Sequence, residues 1–514
     1  MGARKSERLV EKDENKKSGY FQSFLFLVIS VLCAIIAWMV IRYDIKASYL
    51  FQTSHLQPKV PRLWRISIND WNPERNLGTL ERIWNRFGYD YVNGTNGDDW
   101  DICWSHELPY GPGVMSKSPQ YDAILKTPLK PHQRVNHFPG INHLTSKSFL
   151  ASMNRDSKYI LPGFYFPKDI ESFKKYVKEN PKTKFVEKKK SNRGIKLVNV
   201  KDVKFNDKDV YYQKFLEKPY LVEDRAMDFG IFVFIASIDP LRIYRFTGDI
   251  WLRFCRDPYY PFNASNVYSY AISDTRRLLY EMPELNSYHE KFGYSYHLTL
   301  MNYMEKRGVN ITDMWRKLDD LLVESIMRSE AGMMRETYKL FNSSHHFFDL
   351  VRYDILINET MDPHIAEVNM SPSVSPFTPI MKKYLRTWEQ LVFNTLKLLG
   401  AGSSFDLQSQ YDPLAYEMVV AKKNIAVDPK TCADNNCDSN CNLKVCELCT
   451  PCLSQDNYDE LRRAFIEHLR KGDYKRIFPS DVYYNDEYLN KMTPRNQLSM
   501  KWFHEKCKAY PEWC

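Results

Sequence analysis

The chain has 514 residues, of which 44% are hydrophobic and 26% are charged, a composition typical of globular proteins rather than disordered ones. With 72 Lys and Arg against 63 Asp and Glu, the formal net charge is only +9. This excludes a histone-like nucleic-acid binder but is compatible with a local basic face toward an acidic partner. The sequence has neither a G-x-x-x-x-G-K-[ST] loop nor a G-x-G-x-x-G motif after a strand, so P-loop and Rossmann nucleotide sites lack support.

An apolar segment near the N-terminus predicts a membrane-spanning helix. Residues 24–41 contain one polar residue, Ser30, and at roughly 1.5 Å per residue they cover about 27 Å, just enough to cross the hydrocarbon core. An uncleaved anchor and a cleaved signal peptide are both possible. The polar residues that follow at once, without an A-x-A-like site, favour an anchor over residues 21–42. Six Lys and Arg residues precede the segment, which predicts a type II protein with its main domain lumenal or extracellular.

Glycosylation triplets and cysteines agree with translocation. Ten of the 11 cysteines follow the apolar segment, and six of these lie within residues 432–452, which indicates a disulfide cluster. The C-x-x-C-x-x-C spacing at 446–452 leaves a zinc site as the alternative, although the cluster contains no His. N-x-[ST] triplets lie at Asn93, Asn263, Asn310, Asn342 and Asn358; the triplet at Asn369 is set aside because Asn369 is a candidate buried ligand.

Composition divides the chain into segments along its length. The predicted segments around the anchor and the main domain are a cytosolic stub at 1–20, a stalk at 43–60, a globular part at 61–401, a Cys-rich segment at 402–456 and a C-terminal tail at 457–514.

Strands and helices mix in the globular part, which predicts an α+β fold. Residues 230–237 form a continuous apolar run, typical of a strand buried on both faces. Asp239 and Pro240 then form a turn into the strand-like residues 241–246, which indicates a hairpin. Residues 311–341 carry apolar side chains at helical spacing, as expected for a helix that packs against the core.

Two predicted strands carry oxygen ligands for a cation. Asp354 lies on one, and Glu367 and Asn369 lie on the next. The i, i+2 spacing of Glu367 and Asn369 places both side chains on one face of a strand. Carboxylate and amide oxygens suit Mg²⁺, which takes few protein ligands and completes its coordination with phosphate oxygens.

Around these residues the chain resembles the tubulin–tyrosine ligase-like family, whose members are ATP-grasp ligases that add amino acids to tubulin tails. The resemblance runs from about residue 100 to residue 400. Its landmarks are residues 136–140 (NHFPG) with Lys147, residues 188–195, residues 213–219 (QKFLEKP), residues 240–246 with Arg253, and the set Asp354, Glu367 and Asn369.

The resemblance implies an ATP-grasp ligase domain in three parts, at residues 61–150, 151–235 (ATP-binding) and 236–401. It implies ATP and Mg²⁺ as cofactors, with Asp354, Glu367 and Asn369 holding the metal. Arg253 would stabilise the anionic intermediate, with Asp228 as a second catalytic position. The implied nucleotide-binding residues are Lys188 at a phosphate, Arg193, Gly194 and Ile195 in a phosphate loop, and Gln213, Lys214 and Leu216 at the adenine hinge.

Two departures from the family pattern bear on catalysis. The family usually reads Arg-Lys-Phe-Asp-Leu-Arg where this chain has RAMDFG at 225–230, so Ala226 and Gly230 replace two cations. Such cations normally face the phosphate and the acyl intermediate; Arg225 and Arg242 are the nearby candidates to compensate. Residues 267–274 (VYSYAISD) replace a stretch that commonly reads LTNYSINK, which leaves the donor amino acid open.

The sequence thus predicts a membrane-anchored ligase that adds glutamate to glutamate side chains of acidic tubulin tails. Its expected partners are tubulin, glutamate and the membrane, with no nucleic acid. One alternative is a nucleotide-binding pseudoenzyme that acts as a membrane-tethered scaffold, which Ala226 and Gly230 favour. The other is a ligase for a secretory-pathway protein, because tubulin is cytosolic whereas the predicted topology places the domain across the membrane.

Overall fold

The structure is a computed structural model whose residues fall into two compact units, 1–59 and 60–514. The described residues are 27–40, 42, 62–66, 73–92, 100–110, 124–125, 128–147, 149–150, 155–189, 194–272, 275–374, 385–402 and 413–514.

The predicted membrane anchor is wrong. Within residues 21–42 the structure describes 27–40 and 42, all of them helical. None of the helices in the described part of the chain has the length and apolar character needed to cross a membrane. The predicted type II topology and lumenal or extracellular placement are corrected with it. The predicted stub at 1–20 and stalk at 43–60 lie outside the described residues.

The second unit is a mixed α+β structure, as predicted. Its strands are β1 (Arg62–Ile66), β2 (Asp90–Val92), β3 (Ile102–Ser105), β4 (Arg134–Asn136), β5 (Gly163–Tyr165), β6 (Phe185–Lys189), β7 (Ile195–Val198), β8 (Val210–Lys214), β9 (Leu221–Val222), β10 (Arg225–Ile238), β11 (Leu241–Phe246), β12 (Trp251–Phe254), β13 (Phe347–Ile357), β14 (Pro363–Asn369) and β15 (Tyr474–Phe478). Its α-helices are α1 (Pro73–Arg86), α2 (Asn142–Thr145), α3 (Ile170–Glu179), α4 (Pro283–His289), α5 (Tyr296–Glu305), α6 (Ile311–Leu340), α7 (Leu385–Leu398), α8 (Pro413–Val419), α9 (Lys422–Ile425), α10 (Pro429–Asp434), α11 (Gln455–Arg470), α12 (Asp486–Leu489) and α13 (Pro494–Ala509).

The larger sheet is organised around the long strand β10. Its main order is β15-β11-β10-β13-β4-β3-β1-β2. Along one edge β10 pairs first with β12, through residues 227–230, and then with β11, through residues 233–238. Its other edge pairs with β13, which in turn pairs with β14. The described residues of β10 and β11 are almost all buried, which confirms the predicted buried strand and hairpin.

Helix α6 packs against this sheet and confirms the helix predicted at 311–341. It begins after Asn310, whose side chain accepts a hydrogen bond from the backbone N–H of Asp313, a favoured cap. Its apolar residues Leu318, Leu322 and Ile326 are fully buried in the main core. The amphipathic spacing therefore marks a core-packing face.

The smaller sheet has four antiparallel strands in the order β5-β8-β6-β7. It has its own aromatic core, which includes Phe164, Phe173 and Phe185 and is covered by α3. The two sheets have separate hydrophobic cores, and a smaller buried cluster contains Val186 of β6 and Ala226 of β10. The cleft between the two sheets is the candidate site.

The Cys-rich segment is a disulfide cluster, as predicted. Three bridges join residues within 432–452, and a fourth lies at the C-terminus; the pairs are Cys432–Cys449, Cys437–Cys446, Cys441–Cys452 and Cys507–Cys514. Because Cys446, Cys449 and Cys452 are all bridged, they do not form the alternative zinc site. Cys103 and Cys255 are buried free thiols.

Candidate active site

A cleft of about 450 Å³ lies between the two sheets. Strands β6 and β8 line it from the small sheet, and β10, β12, β13 and β14 line it from the large one. Every predicted site residue in the described part of the chain lines this cleft: Lys188, Gly194, Ile195, Gln213, Lys214, Leu216, Asp228, Arg253, Asp354, Glu367 and Asn369. Arg193 lies outside the described residues.

Strand register brings the polar residues onto one face of the large sheet. Asp228 on β10 is opposite Arg253 on β12. Two residues further along β10, Gly230 is opposite Asp354 on β13, and Asp354 is opposite Glu367 on β14. Directly opposite residues of antiparallel strands point to the same face. Four adjacent strands therefore present these side chains together.

Arg253 joins two buried carboxylates. Its Nε and Nη2 donate to the two oxygens of Asp228, each at 2.7 Å. Nη2 also lies 2.7 Å from Oδ2 of Asp354. Burial, partly opposed by Arg253, raises the pKa of Asp228 to about 6. One guanidinium is thus shared by two acids that would be strongly unfavourable if left unpaired.

A second arginine, Arg352, holds Asp354. Its Nε lies 2.6 Å from Oδ1 of Asp354 and its Nη2 lies 3.0 Å from Oδ2, a bidentate pair. Asp354 is fully buried; burial would raise its pKa, but Arg352 and Arg253 outweigh that effect and hold the pKa well below its usual range. Arg352 was not among the predicted site residues, although its i, i+2 spacing to Asp354 places both side chains on one face of β13.

Glu367 and Asn369 complete a donor set suited to a hard cation. Nδ2 of Asn369 donates to Oδ2 of Asp354 at 3.1 Å and approaches Oε1 of Glu367 at 3.5 Å. Oε2 of Glu367 lies 2.5 Å from Nζ of Lys147. A half-turn of the Asn369 amide would present its oxygen where the nitrogen now lies. The three neighbouring side chains would then present oxygens, the ligand type that Mg²⁺ prefers.

Lys188 reaches into the cleft from the small sheet. Its Nζ donates to Oε1 of Gln213 at 2.7 Å, and Nε2 of Gln213 donates to the carbonyl of Leu161 at 3.2 Å. Burial, with a smaller contribution from the charge of Lys147, lowers the pKa of Lys188 to about 8. A desolvated ammonium held by a neutral amide is available to an anionic group such as a phosphate.

The remaining predicted nucleotide contacts lie around Lys188. Ile195 is paired with Lys188 across β6 and β7, and Gly194 precedes it with φ +90°, a conformation that favours glycine. Lys214 ends β8, and Leu216 lies two residues beyond it. The fold brings these positions together around Lys188. Their roles in nucleotide binding stay predictions.

Part of the cleft lining is apolar and aromatic. Ala226, at the position of an expected lysine, is buried in a cluster with Val186 and Phe215. Tyr270 also lines the cleft and packs edge-on against Phe215, with ring centroids 5.5 Å apart. Sequence reasoning missed Tyr270 because its loop carries no periodic pattern. Such a lining suits the flat face of a heterocyclic ring.

The two arginines considered as replacements for the lost cations lie elsewhere. Arg225 donates to the backbone carbonyl of Arg256. Arg242 is buried in ion pairs with Glu467 and Glu460 on α11. Neither is among the described residues that line the cleft, so the suggestion that they compensate is not supported.

Comparison with known proteins identifies the family. The family model described as the tubulin-tyrosine ligase family matches residues 125–401, which contain every residue placed in the cleft. The chain belongs to this family of amino-acid ligases.

Its relatives include tubulin-glutamylating enzymes. The chain is similar to a probable tubulin polyglutamylase of Caenorhabditis elegans, with 26% identity over 81% of this chain and 79% of the relative. It is also similar to a tubulin monoglutamylase of Homo sapiens, at 24% over 81% of this chain and 36% of the relative. A probable beta-tubulin polyglutamylase of Tetrahymena thermophila is 25% identical over 74% and 32%. The chain thus spans most of the worm relative but only about a third of the other two.

Proposed function

We propose that this protein is an ATP- and Mg²⁺-dependent ligase of the ATP-grasp class that adds glutamate to glutamate side chains in acidic tubulin tails. The proposed reaction passes through an acyl phosphate of the acceptor carboxyl group. The observation that carries the proposal is a single cleft containing the oxygen donors of Asp354, Glu367 and Asn369 on one wall and the Lys188 ammonium on the other. The names of the relatives supply the acceptor and the donor.

The chain's own residues position and neutralise charge in this reaction. Asp354, Glu367 and Asn369 would hold Mg²⁺, which would neutralise phosphate charge when bound. Lys188 meets a phosphate as a point charge, while the apolar lining near Tyr270 takes the adenine. Arg253 faces the developing anion with its guanidinium orientation fixed by Asp228. Fixed donors of this kind lower the barrier because they need no reorganisation during the reaction.

Glu367→Gln tests the proposed metal site. The substitution removes one negative charge and one good oxygen ligand with little change in volume. We expect glutamate incorporation to fall by about 10²–10³-fold. The assay supplies the full chain with tubulin, ATP, Mg²⁺ and labelled glutamate or, separately, glycine. The matched control is Glu359→Gln, an exposed residue paired with Lys218 outside the cleft, which should retain full activity.

The outcomes of this assay separate the candidate functions. Glutamate incorporation that is lost only in Glu367→Gln supports the ligase. Mg-ATP binding by the wild type without incorporation from either donor would favour a nucleotide-binding scaffold. Incorporation of glycine in place of glutamate would show that the donor amino acid is not glutamate. A chain that does not bind Mg-ATP at all would refute both functions.

Lys188 predicts a pH dependence of nucleotide binding. With a pKa of about 8, its charged fraction falls from about 0.9 at pH 7 to about 0.1 at pH 9. Because only the charged form attracts phosphate, we expect affinity for Mg-ATP to weaken by up to about tenfold over this range. Lys188→Arg stays charged throughout and should flatten the profile, as measured by calorimetric titration. An equal pH-dependent loss in the variant would assign the effect to another group.

A further inference from the structure

An arginine from the neighbouring strand occupies the space above Gly230. A β-carbon built on Gly230 would lie 2.8 Å from Cδ of Arg352, 3.0 Å from Cβ of Trp251 on β12 and 3.2 Å from Cγ of Arg352. Real β-carbons essentially never approach other atoms to 2.8 Å, so the stem of Arg352 crosses over the glycine. The absence of a side chain at 230 is therefore what lets Arg352 reach Asp354, the residue directly opposite Gly230.

The guanidinium of Arg352 supplies a positive charge that the carboxylates of the cleft require. Arg253 alone is shared between Asp228 and Asp354. Asp354 is completely buried, and a buried carboxylate without adequate cationic partners is strongly unfavourable. Arg352 contacts both oxygens of Asp354 and is itself largely buried, with 13% of its side chain exposed.

The influence of Arg352 extends to a second proposed ligand. Arg352 is opposite Asn369 in the β13–β14 register, and the Asn369 amide approaches the Arg352 carbonyl at 3.4 Å and Oδ2 of Asp354 at 3.1 Å. Arg352 is not among the described residues that line the cleft. It would therefore act on a bound group through Asp354 and Asn369 rather than by direct contact.

We propose that Arg352 is a positioning residue that supplies, from β13, the cation that Gly230 cannot supply from β10, and so fixes Asp354 for the Mg-nucleotide complex. The inference rests on the proposed function, because it assigns Asp354 to that complex. Gly230 and Arg352 are then explained together: the cation expected on β10 is supplied by the neighbouring strand β13. This arrangement also removes the main reason for regarding the Gly230 replacement as a loss of function.

The test separates the charge of Arg352 from its packing. In the full chain, R352M keeps an unbranched stem over Gly230 but lacks the guanidinium. We expect affinity for Mg-ATP to fall about tenfold or more, with a smaller rise in melting temperature on adding Mg-ATP. R352K, which keeps the charge but not the bidentate geometry, should be intermediate. A purely packing role would leave R352M close to the wild type.

Two double variants, which move the charge from one strand to the other, form the second part of the test. They keep the inference testable if the single variant misfolds. G230R/R352A moves the arginine to β10 and removes the stem of Arg352 that would collide with it; the remaining close neighbour, Cβ of Trp251 at 3.0 Å, has to shift by a few tenths of an ångström. G230M/R352A fills the same space without charge and is the matched control. We expect the first double variant to recover most of the lost affinity and the second to recover none. The melting temperature without ligand, measured for each variant, checks that the variant is folded.

Three results would overturn the inference. They are wild-type affinity in R352M, equal affinities of the two double variants, and tighter metal binding by R352M, which would mean that the guanidinium competes with the ion. Failure of the proposed function is distinguishable, because the wild type would then show no Mg-ATP binding before any substitution is made. That result would overturn the role of Arg352 as well. If the wild type binds Mg-ATP but does not modify tubulin, the Mg-ATP affinities of the variants still decide the role of Arg352.

Discussion

Arg253→Met is expected to lower glutamate incorporation by about 10²–10³-fold, as the loss of one fixed donor to a developing anion does elsewhere. The variant should also be less stable by about 3–5 kcal/mol at neutral pH, because Asp228 and Asp354 lose the guanidinium they share. Both acids are buried, so solvent does little to screen the lost attraction. The measurements are initial rates with saturating Mg-ATP and urea unfolding of the full chain.

The stability part of this prediction has a defined pH dependence. The pKa of Asp228, about 6, is already above its usual value, so the folded state binds more protons than the unfolded state between about pH 4 and pH 6. This contribution to stability is therefore lost as pH rises through that range. Without Arg253 the pKa rises further, so the stability gap between variant and wild type should widen from pH 5 to pH 8. A gap that narrows would contradict the assigned ion pairs.

Arg253→Lys is the matched control for charge alone. Lysine keeps one positive charge but cannot hold both oxygens of Asp228 in the observed fork. We expect most of the stability to return while much of the rate defect remains. Full recovery of the rate would mean that the geometry of the guanidinium is unimportant. An unchanged rate in Arg253→Met would remove Arg253 from the proposed mechanism.

The cleft was largely predictable because its residues follow local rules. Glu367 and Asn369 share a face because side chains alternate along a strand, and the structure confirms that spacing. The buried run at 230–237 and its hairpin were recognisable from hydrophobicity and the turn at Asp239 and Pro240. The resemblance then placed Lys188 and Gln213, which the structure brings within hydrogen-bonding distance.

What the sequence could not provide was the partner of each arginine. Arg352 and Gly230 are adjacent only because of the antiparallel register of β10 and β13. Arg242 looked like a candidate for the cleft because it is near Asp228 in sequence, yet its partner Glu467 is 225 positions away. Hydrophobicity alone also predicted a membrane span in the N-terminal segment, whereas no helix among the described residues has the length and apolar character that a span requires.

Arg242→Met is expected to destabilise the fold by about 3–5 kcal/mol without changing affinity for Mg-ATP. Nε and Nη2 of Arg242 donate to the two oxygens of Glu467 at 2.7 and 3.0 Å, and Nη1 donates to Glu460 at 3.1 Å. Burial would lower the pKa of Arg242, but Glu467 and Glu460 outweigh this and raise it above its usual range. Because Glu460 also has Arg463 at 2.7 Å, removal of Arg242 chiefly isolates Glu467.

A double substitution tests whether the isolated carboxylate causes this loss. R242M/E467L replaces both partners by apolar side chains, which is often neutral when a buried ion pair is removed completely. It should therefore recover most of the stability lost in R242M, as measured by urea unfolding. Lys218→Met, at an exposed pair, should not shift the midpoint measurably. A double variant no more stable than R242M would mean that α11 is held to β11 mainly by packing; a loss of Mg-ATP affinity in any folded variant would instead connect this ion-pair network to the cleft.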